Sequence, residues 1–279
     1  MALIHECCGE VLYDASGAFS AGELVAMIPN VPGKKEEGIY ENYSHGAKFL
    51  SSGCDGFMRE VVDLPADRIV SVGEVPAHIA AISEFVSVAV HAFRRFNAIK
   101  RVGGNRLAVI GDGSLAYVMS CVLKKMSSDI EIVVIGHNPE KLALFTFATE
   151  RYLSYDAPFD LTFDFAFECA GGRGSESAIE FAITHIAPQG AILLMGVTEL
   201  SVGIRTRDVL EKGITLVGCS RSGRDDFEQA LQVMADSEVQ RRLIQIIYNS
   251  GLVGHVDDIK RAFAEDTQTP FKTVFEWGL

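Results

Sequence analysis

The sequence predicts an α/β protein, with a β-rich opening of about 75 residues and then a doubly wound parallel sheet over roughly 95–240. Three observations carry that prediction. Residues 1–75 hold short apolar stretches separated by Gly, Pro and Asn, the pattern of strands and turns. VPAHIAAISEFVSVAVHAFRRF (75–96) then switches to helical periodicity. Beyond it, continuous apolar runs alternate with amphipathic segments, as doubly buried strands alternate with the helices that cover them.

In chain order, ALIHECCGEVLYD, GELVAMIP and FMREVVDL are the strand candidates of the opening part. NVPGKKEEGIYENYSHGAKFLSSGCDG is polar and Gly-rich and reads as a long surface loop, a kind that is usually functional or mobile. RLAVI, EIVVI, FDFAFEC, AILLMGV and ITLVGCS are expected to be the strands of the parallel sheet. LAYVMSCVLKKM, EKLALFTFATERY, SESAIEFAITHI and DDFEQALQVMADS are the expected helices between and after them. VDDIKRAFAED and KTVFEW then supply a helix and a final strand. Cys7 and Cys8 alternate faces on the first strand candidate and read as two small buried residues, not as a redox pair.

With 279 residues, 48% apolar and 22% charged, the composition is that of a soluble globular protein with room for one large domain or two. A net charge of −12 excludes a nucleic-acid surface, which needs clustered Lys and Arg, but leaves room for a small anionic ligand. No stretch has the length and apolarity of a membrane span, and the opening residues lack the pattern of a signal peptide. The six cysteines are scattered, with no CxxC pair, which fits a reducing cytoplasm.

RLAVIGDGSLAYVMSCVLKKM places Gly111-x-Gly113-x-x-Ala116 between an apolar run and a helix, the context that a dinucleotide fingerprint requires. Gly111 permits the turn, Gly113 lets the backbone approach a pyrophosphate, and Ala116 allows close helix–strand packing. Asp112, Ser114 and Leu115 complete the turn, where free N–H groups at a helix start favour phosphate. The next strand ends in Gly136, where an NAD-binding chain carries an acid for the ribose 2′-hydroxyl. With that acid absent, His137, Asn138 and Lys141 can face a 2′-phosphate, so NADPH is the expected coenzyme. Small residues end later strands in FECAGG and LLMGV, and Cys169, Val197 and Ser220 are expected to border the nicotinamide.

Taken together, IHECCGEV, FSAGELVAMIPN and GCDGFMREVVDLPADRIV resemble segments of the medium-chain dehydrogenase/reductase superfamily, zinc alcohol dehydrogenase type. ENYSHGAKFLSSGCDGFM, FECAGGRGSESA, LEKGITLVGCSRSGRDDF and KTVFEW resemble, more narrowly, the ribulose-5-phosphate reductases. That resemblance covers essentially the whole chain. It implies a Rossmann domain at 79–249 and an incomplete GroES-like β-barrel catalytic domain at 1–78, to which 250–279 return. It also implies one catalytic Zn²⁺ held by His5, Glu6 and Glu84, since neutral imidazole and carboxylate with an open position suit that metal.

The implied reaction is NADPH-dependent reduction of D-ribulose 5-phosphate to D-ribitol 5-phosphate; the substrate phosphate needs cationic or N–H donors, and Tyr43, Lys48, Ser51 and Ser52 of the long loop are the candidates for them. The resemblance further implies a homodimer joined along ITLVGCS, a cytidylyltransferase partner from teichoic-acid or capsule synthesis, and no structural zinc. The family's first zinc ligand is a Cys on a segment preceding IHE, and the sequence opens after that point. Low zinc affinity and weak or no reductase activity, with NADPH binding retained, are therefore expected of this chain. Two rivals keep the fold: a non-catalytic NADPH-binding or assembly partner, and a zinc-free reductase of the quinone type. Retention of His5, Glu6 and Glu84 weighs against the second. A methyltransferase is a more distant alternative, disfavoured by the strand ends FECAGG and LLMGV.

Overall fold

The computed structural model describes residues 1–101 and 103–278. The chain divides into two compact units, Met1–His91 with Arg221–Leu279, and Ala92–Ser220. The first boundary falls inside a helix, and residues 221–249, expected with the dinucleotide-binding part, group with the first unit.

The first unit opens with an antiparallel sheet of β1 (Cys8–Glu10), β2 (Leu24–Met27) and β3 (Ile69–Ser71), in which Cys8 lies opposite Ala26 and Val25 opposite Ser71. Two of the expected strands are corrected. The first begins at Cys8 and not at Ala2, because Ile4 turns left-handed (φ 63°) and the carbonyls of Ala2, Leu3 and Ile4 accept the N–H groups of Gly56, Met58 and Phe57. FMREVVDL is not a strand: its start is held by those contacts, and the strand forms beyond Pro65, at Ile69–Ser71. Cys7 and Cys8 are half-buried free thiols, more exposed than expected. The long polar loop carries one short ladder, in which Asn30 pairs with Phe49 and Val31 with Lys48, and a helical turn at Glu41–Tyr43.

Helix α1 (Ser83–Ile99) buries Val86, Ala89, Val90 and Phe93. The second unit then follows, with β4 (Arg106–Ile110), α2 (Ser114–Met126), β5 (Glu131–Gly136), β6 (Glu150–Leu153), β7 (Phe163–Glu168), α3 (Ser175–His185), β8 (Ile186–Leu194) and β9 (Thr215–Gly218). The strands form one parallel sheet in the order β9-β8-β7-β4-β5-β6. Numbered within the sheet, that is the 3-2-1-4-5-6 order of a doubly wound dinucleotide-binding fold, whose direction reverses between β4 and β7. Both faces are covered: Ala108, Ile110, Val133 and Ala166 pack with Ala178, Ile179 and Ile183 of α3, while Phe165 and Phe167 meet Phe96 at 5.0 and 5.8 Å.

The expected helix EKLALFTFATERY is corrected to one short helix, Pro139–Ala143, followed by the sixth strand β6. Asn138 caps that helix, accepting from the N–H of Glu140 and of Lys141 at 2.9 and 3.1 Å. Phe145 and Phe147 then turn onto Tyr117 of α2, ring centres 5.0 and 5.4 Å apart, and the aromatic and β-branched run beyond Ala143 leaves the helix to join the sheet.

The rest of the first unit holds α4 (Arg224–Met234), then β10 (Ile247–Val253), α5 (Val256–Asp266) and β11 (Lys272–Trp277), with β10 and β11 paired in parallel. Among the described residues, no helix is long and apolar enough to cross a membrane.

Candidate functional site

In the second unit, the residues singled out for coenzyme binding gather at the carboxyl edge of the parallel sheet. Gly111 follows β4 with φ 134°, and a Cβ there would lie 3.0 Å from the backbone of Cys169, which follows β7. Glycine is therefore required where the two central strands part, the place where doubly wound sheets bind ligands. Gly113 sits at the N-cap of α2, and Ser114 and Leu115 begin its first turn. Space stands open beside Gly113, since nothing lies within 4 Å of where its Cβ would be.

Asp112 does something the sequence did not disclose. Its Oδ2 accepts the N–H of His137 at 2.6 Å and of Asn138 at 2.7 Å, so its charge is held by the turn after β5. Gly136 leaves room for it, because a Cβ there would be 2.8 Å from that carboxylate. The His137 ring meets Ser154 Oγ at 2.9 Å, and Lys141 lies on the short helix that follows. Val197 is exposed after β8, while its carbonyl accepts the N–H of Gly172; Ser220 is exposed after β9.

Glu168, at the end of β7, was missed by sequence reasoning. It is buried, and its carboxylate accepts the N–H of Ala170 and Gly171 at 3.1 and 3.2 Å, Ser175 Oγ at 3.2 Å, and the N–H of Gly196 at 3.0 Å. One side chain thus ties FECAGG to LLMGV. The available signal was the glycine at 196, where a Cβ would lie 2.5 Å from the carboxylate.

In the first unit, His5, Glu6 and Glu84 come together with their ligand atoms within 4.8 Å of one another. His5 Nε2 stands 4.0 Å from Glu84 Oε2. Burial holds the His5 imidazole below its ordinary pKa, so it is neutral with a lone pair to give. Glu84 is 3% exposed, and burial, with repulsion from Glu6 second, pushes its pKa up to about 8. Its carboxylate makes no hydrogen bond among the described residues. Glu6 is ion-paired with Lys272, whose Nζ also lies 4.0 Å from the centre of the Phe85 ring. A neutral imidazole beside a buried, unsatisfied carboxylate suits a divalent cation, and the donor set is one that Zn²⁺ takes.

The loop candidates separate. Lys48 and Phe49 alternate faces: Phe49 is buried with its ring 5.1 Å from that of His5, while Lys48 is exposed. Ser51 has φ 68°, and Ser52 bridges back to Phe49. Tyr43 OH lies 3.1 Å from Nε2 of His91, which is fully buried on α1, and His91 Nδ1 lies 3.1 Å from Asp226 Oδ2. Ser87 Oγ, one turn before His91, meets Ser222 Oγ at 2.7 Å.

No family model matches the chain. The curated ribulose-5-phosphate reductase of Streptococcus pneumoniae is 51% identical over 278 residues, covering 99% of this chain and 80% of that protein. The chain belongs to the ribulose-5-phosphate reductase family. A second ribulose-5-phosphate reductase, from Bacillus spizizenii, is 42% identical over 100% of the chain and 83% of its own length. The crystal structure of S. aureus TarJ in complex with NADPH matches with TM-score 0.87 and 35% identity, covering 100% of this chain and 82% of that one. Haloferax mediterranei glucose dehydrogenase in complex with NADP, Zn and gluconolactone shares the fold, with TM-score 0.81 at 19% identity over 99% of this chain and 83% of that one. This reductase is thus an oxidoreductase of the medium-chain dehydrogenase type, and the expected fold class is borne out.

Proposed function

We propose that the chain reduces D-ribulose 5-phosphate to D-ribitol 5-phosphate with NADPH. The observation that carries this reading is the glycine turn at the reversal point of the sheet, in a chain 51% identical to a named ribulose-5-phosphate reductase. Gly111 and Gly113 clear the approach of the pyrophosphate, and the first N–H groups of α2 face it. Gly136 removes the acid that would repel a 2′-phosphate, Asp112 is occupied by backbone N–H groups, and His137 and Lys141 offer donors at that corner. Glu168 stiffens the two loops beside the nicotinamide position.

His5, Glu6 and Glu84 are the residues that would hold Zn²⁺. Bound at these places, Zn²⁺ supplies Lewis acidity toward a carbonyl oxygen and NADPH supplies hydride. Burial keeps His5 unprotonated, and Lys272 holds Glu6 in place while balancing its charge. Strand β9 ends the parallel sheet, which supports a homodimer joined along that edge. A cytidylyltransferase that consumes ribitol 5-phosphate is the partner this reading implies.

The test is turnover by the zinc-supplemented chain with NADPH and D-ribulose 5-phosphate, followed by identification of the product. Ribitol 5-phosphate forming only with both substrates present supports the reading. No product, with coenzyme and metal demonstrably bound, overturns it.

A further inference from the structure

We propose that Arg221 is the residue that recognises the substrate's phosphate, and so selects a phosphorylated ketose over a free one. The proposal rests on the reductase reading above.

Arg221 lies in the segment that leads into α4 and belongs to the first unit with His5 and Phe49. Its guanidinium carbon stands 5.1 Å from the centre of the Phe49 ring, and that ring stands 5.1 Å from the ring of His5. One aromatic side chain therefore separates a planar cation from an imidazole of the candidate metal cluster. In ribulose 5-phosphate, two carbinol carbons, a methylene and an ester oxygen separate the reacting carbonyl from phosphorus. A carbonyl placed by His5 and a phosphate placed by Arg221 span the same short stretch.

Four other cations of this unit are engaged elsewhere, while Lys48, next to Phe49 in the chain, is exposed on the opposite face of its strand. Arg68 is buried against Glu41 at 2.9 Å, Arg224 pairs with Glu228 at 2.8 Å, Lys272 pairs with Glu6, and Arg59 donates to Gly56 O at 3.1 Å. Arg221 makes no hydrogen bond or ion pair among the described residues; its flat face rests on Phe49 and its N–H edge is left for an acceptor. A guanidinium stacked on a ring keeps its in-plane donors for the paired oxygens of a phosphate.

The backbone carries a second, independent sign. Arg221 has φ 58°, and among the described residues the non-glycine positions with positive φ are Ile4, Ser51, Gln189 and Arg221. Ile4 precedes His5, and Ser51 follows Phe49 by two residues. Three of these four strained positions thus border the His5–Phe49–Arg221 contact, and local strain of this kind gathers at ligand sites. The segment is braced where the strain is stored. Ser222 Oγ meets Ser87 Oγ at 2.7 Å, and the Gly223 N–H donates to Asp226 Oδ2 at 2.9 Å.

Arg221→Gly is the informative variant, because glycine accepts a left-handed backbone without strain and the fold is not put at risk. Ribitol 5-phosphate and inorganic phosphate are titrated calorimetrically into the wild type, Arg221→Gly and Arg221→Lys. In parallel, kcat/KM is measured for ribulose 5-phosphate and for D-ribulose. The proposal expects Arg221→Gly to melt at or above the wild-type temperature. It should bind both phosphates about ten- to a hundredfold more weakly. The preference for ribulose 5-phosphate over D-ribulose should fall by a similar factor, with Arg221→Lys intermediate. Phosphate affinity and substrate preference within twofold of wild type would overturn it, as would equal losses on both sugars with a lowered melting temperature. If the wild type binds phosphates through Arg221 but turns over neither sugar, the anchor stands and the reductase reading fails. If turnover is normal and indifferent to Arg221, the reverse holds.

Discussion

Gly111 and Gly136 are constrained by atoms already in place, and each constraint has a measurable cost. A Cβ at 136 would press on the Asp112 carboxylate at 2.8 Å and on Leu142 at 2.9 Å. Gly136→Ala is therefore expected to lower stability by about 1–3 kcal/mol in denaturant unfolding, the cost of overpacking a filled site. His91 makes a different case. His91→Ala leaves Asp226, 2% exposed, without its imidazole partner. The Gly223 N–H still serves that carboxylate, so the expected loss lies near the low end of roughly 3–5 kcal/mol. Tyr43→Phe removes one partly exposed hydrogen bond to the same ring and should cost about 1 kcal/mol. If thermal unfolding gave the two variants equal losses, His91 would not be the centre of this network.

The helices and strands show where charge and periodicity act together. Helix α5 begins with Asp258 reaching back to the N–H groups of Gly254 and His255 at 3.1 and 3.0 Å. Those bonds hold the Asp258 carboxyl below its ordinary 3.8, with the Gly254 bond the largest cause. A depressed acid adds stability that is fully present above its unfolded value and is lost as pH falls from there through its lower folded value. Asp258→Asn should therefore flatten the decline of melting temperature below about pH 4, and an unchanged acid limb would contradict this.

The same level explains what could be read in advance. RLAVI, EIVVI and LAYVMSCVLKKM declared themselves because doubly buried strands are continuously apolar and a glycine turn has few other uses. EKLALFTFATERY did not, because Leu142, Phe145 and Tyr152 fall at helical spacing while Tyr117, far away in sequence, decides where Phe145 and Phe147 pack. His5, Glu6 and Glu84 were legible through family resemblance, since no local pattern joins a residue near the start to one on α1. Glu168 and His91 escaped notice, and Arg221 stood out only as half of a local basic pair with Arg224, for a related reason. His91 finds Asp226 at a separation of 135 residues, and a lone charge in a sequence does not name its partner.

Across the chain the two units carry separable features: the parallel sheet of Ala92–Ser220 presents the Gly111–Gly113 turn, and the remaining residues present the His5–Glu6–Glu84 cluster. Each can fail without the other, so coenzyme binding is testable apart from turnover. NADPH bound at a hundred times its Kd should stabilise the protein by about 2.7 kcal/mol through mass action. The space beside Gly113 makes the titration specific. Gly113 has φ −84°, a value any residue adopts, and nothing lies within 4 Å of where its Cβ would stand, so Gly113→Ala should fold as well as the wild type while crowding the pyrophosphate. The deciding measurement is a calorimetric titration of NADPH into the wild type and Gly113→Ala. The account predicts one NADPH per wild-type chain and about tenfold or greater weakening in a variant of unchanged melting temperature. A wild type that binds no NADPH, or a variant that binds it equally well, would contradict it.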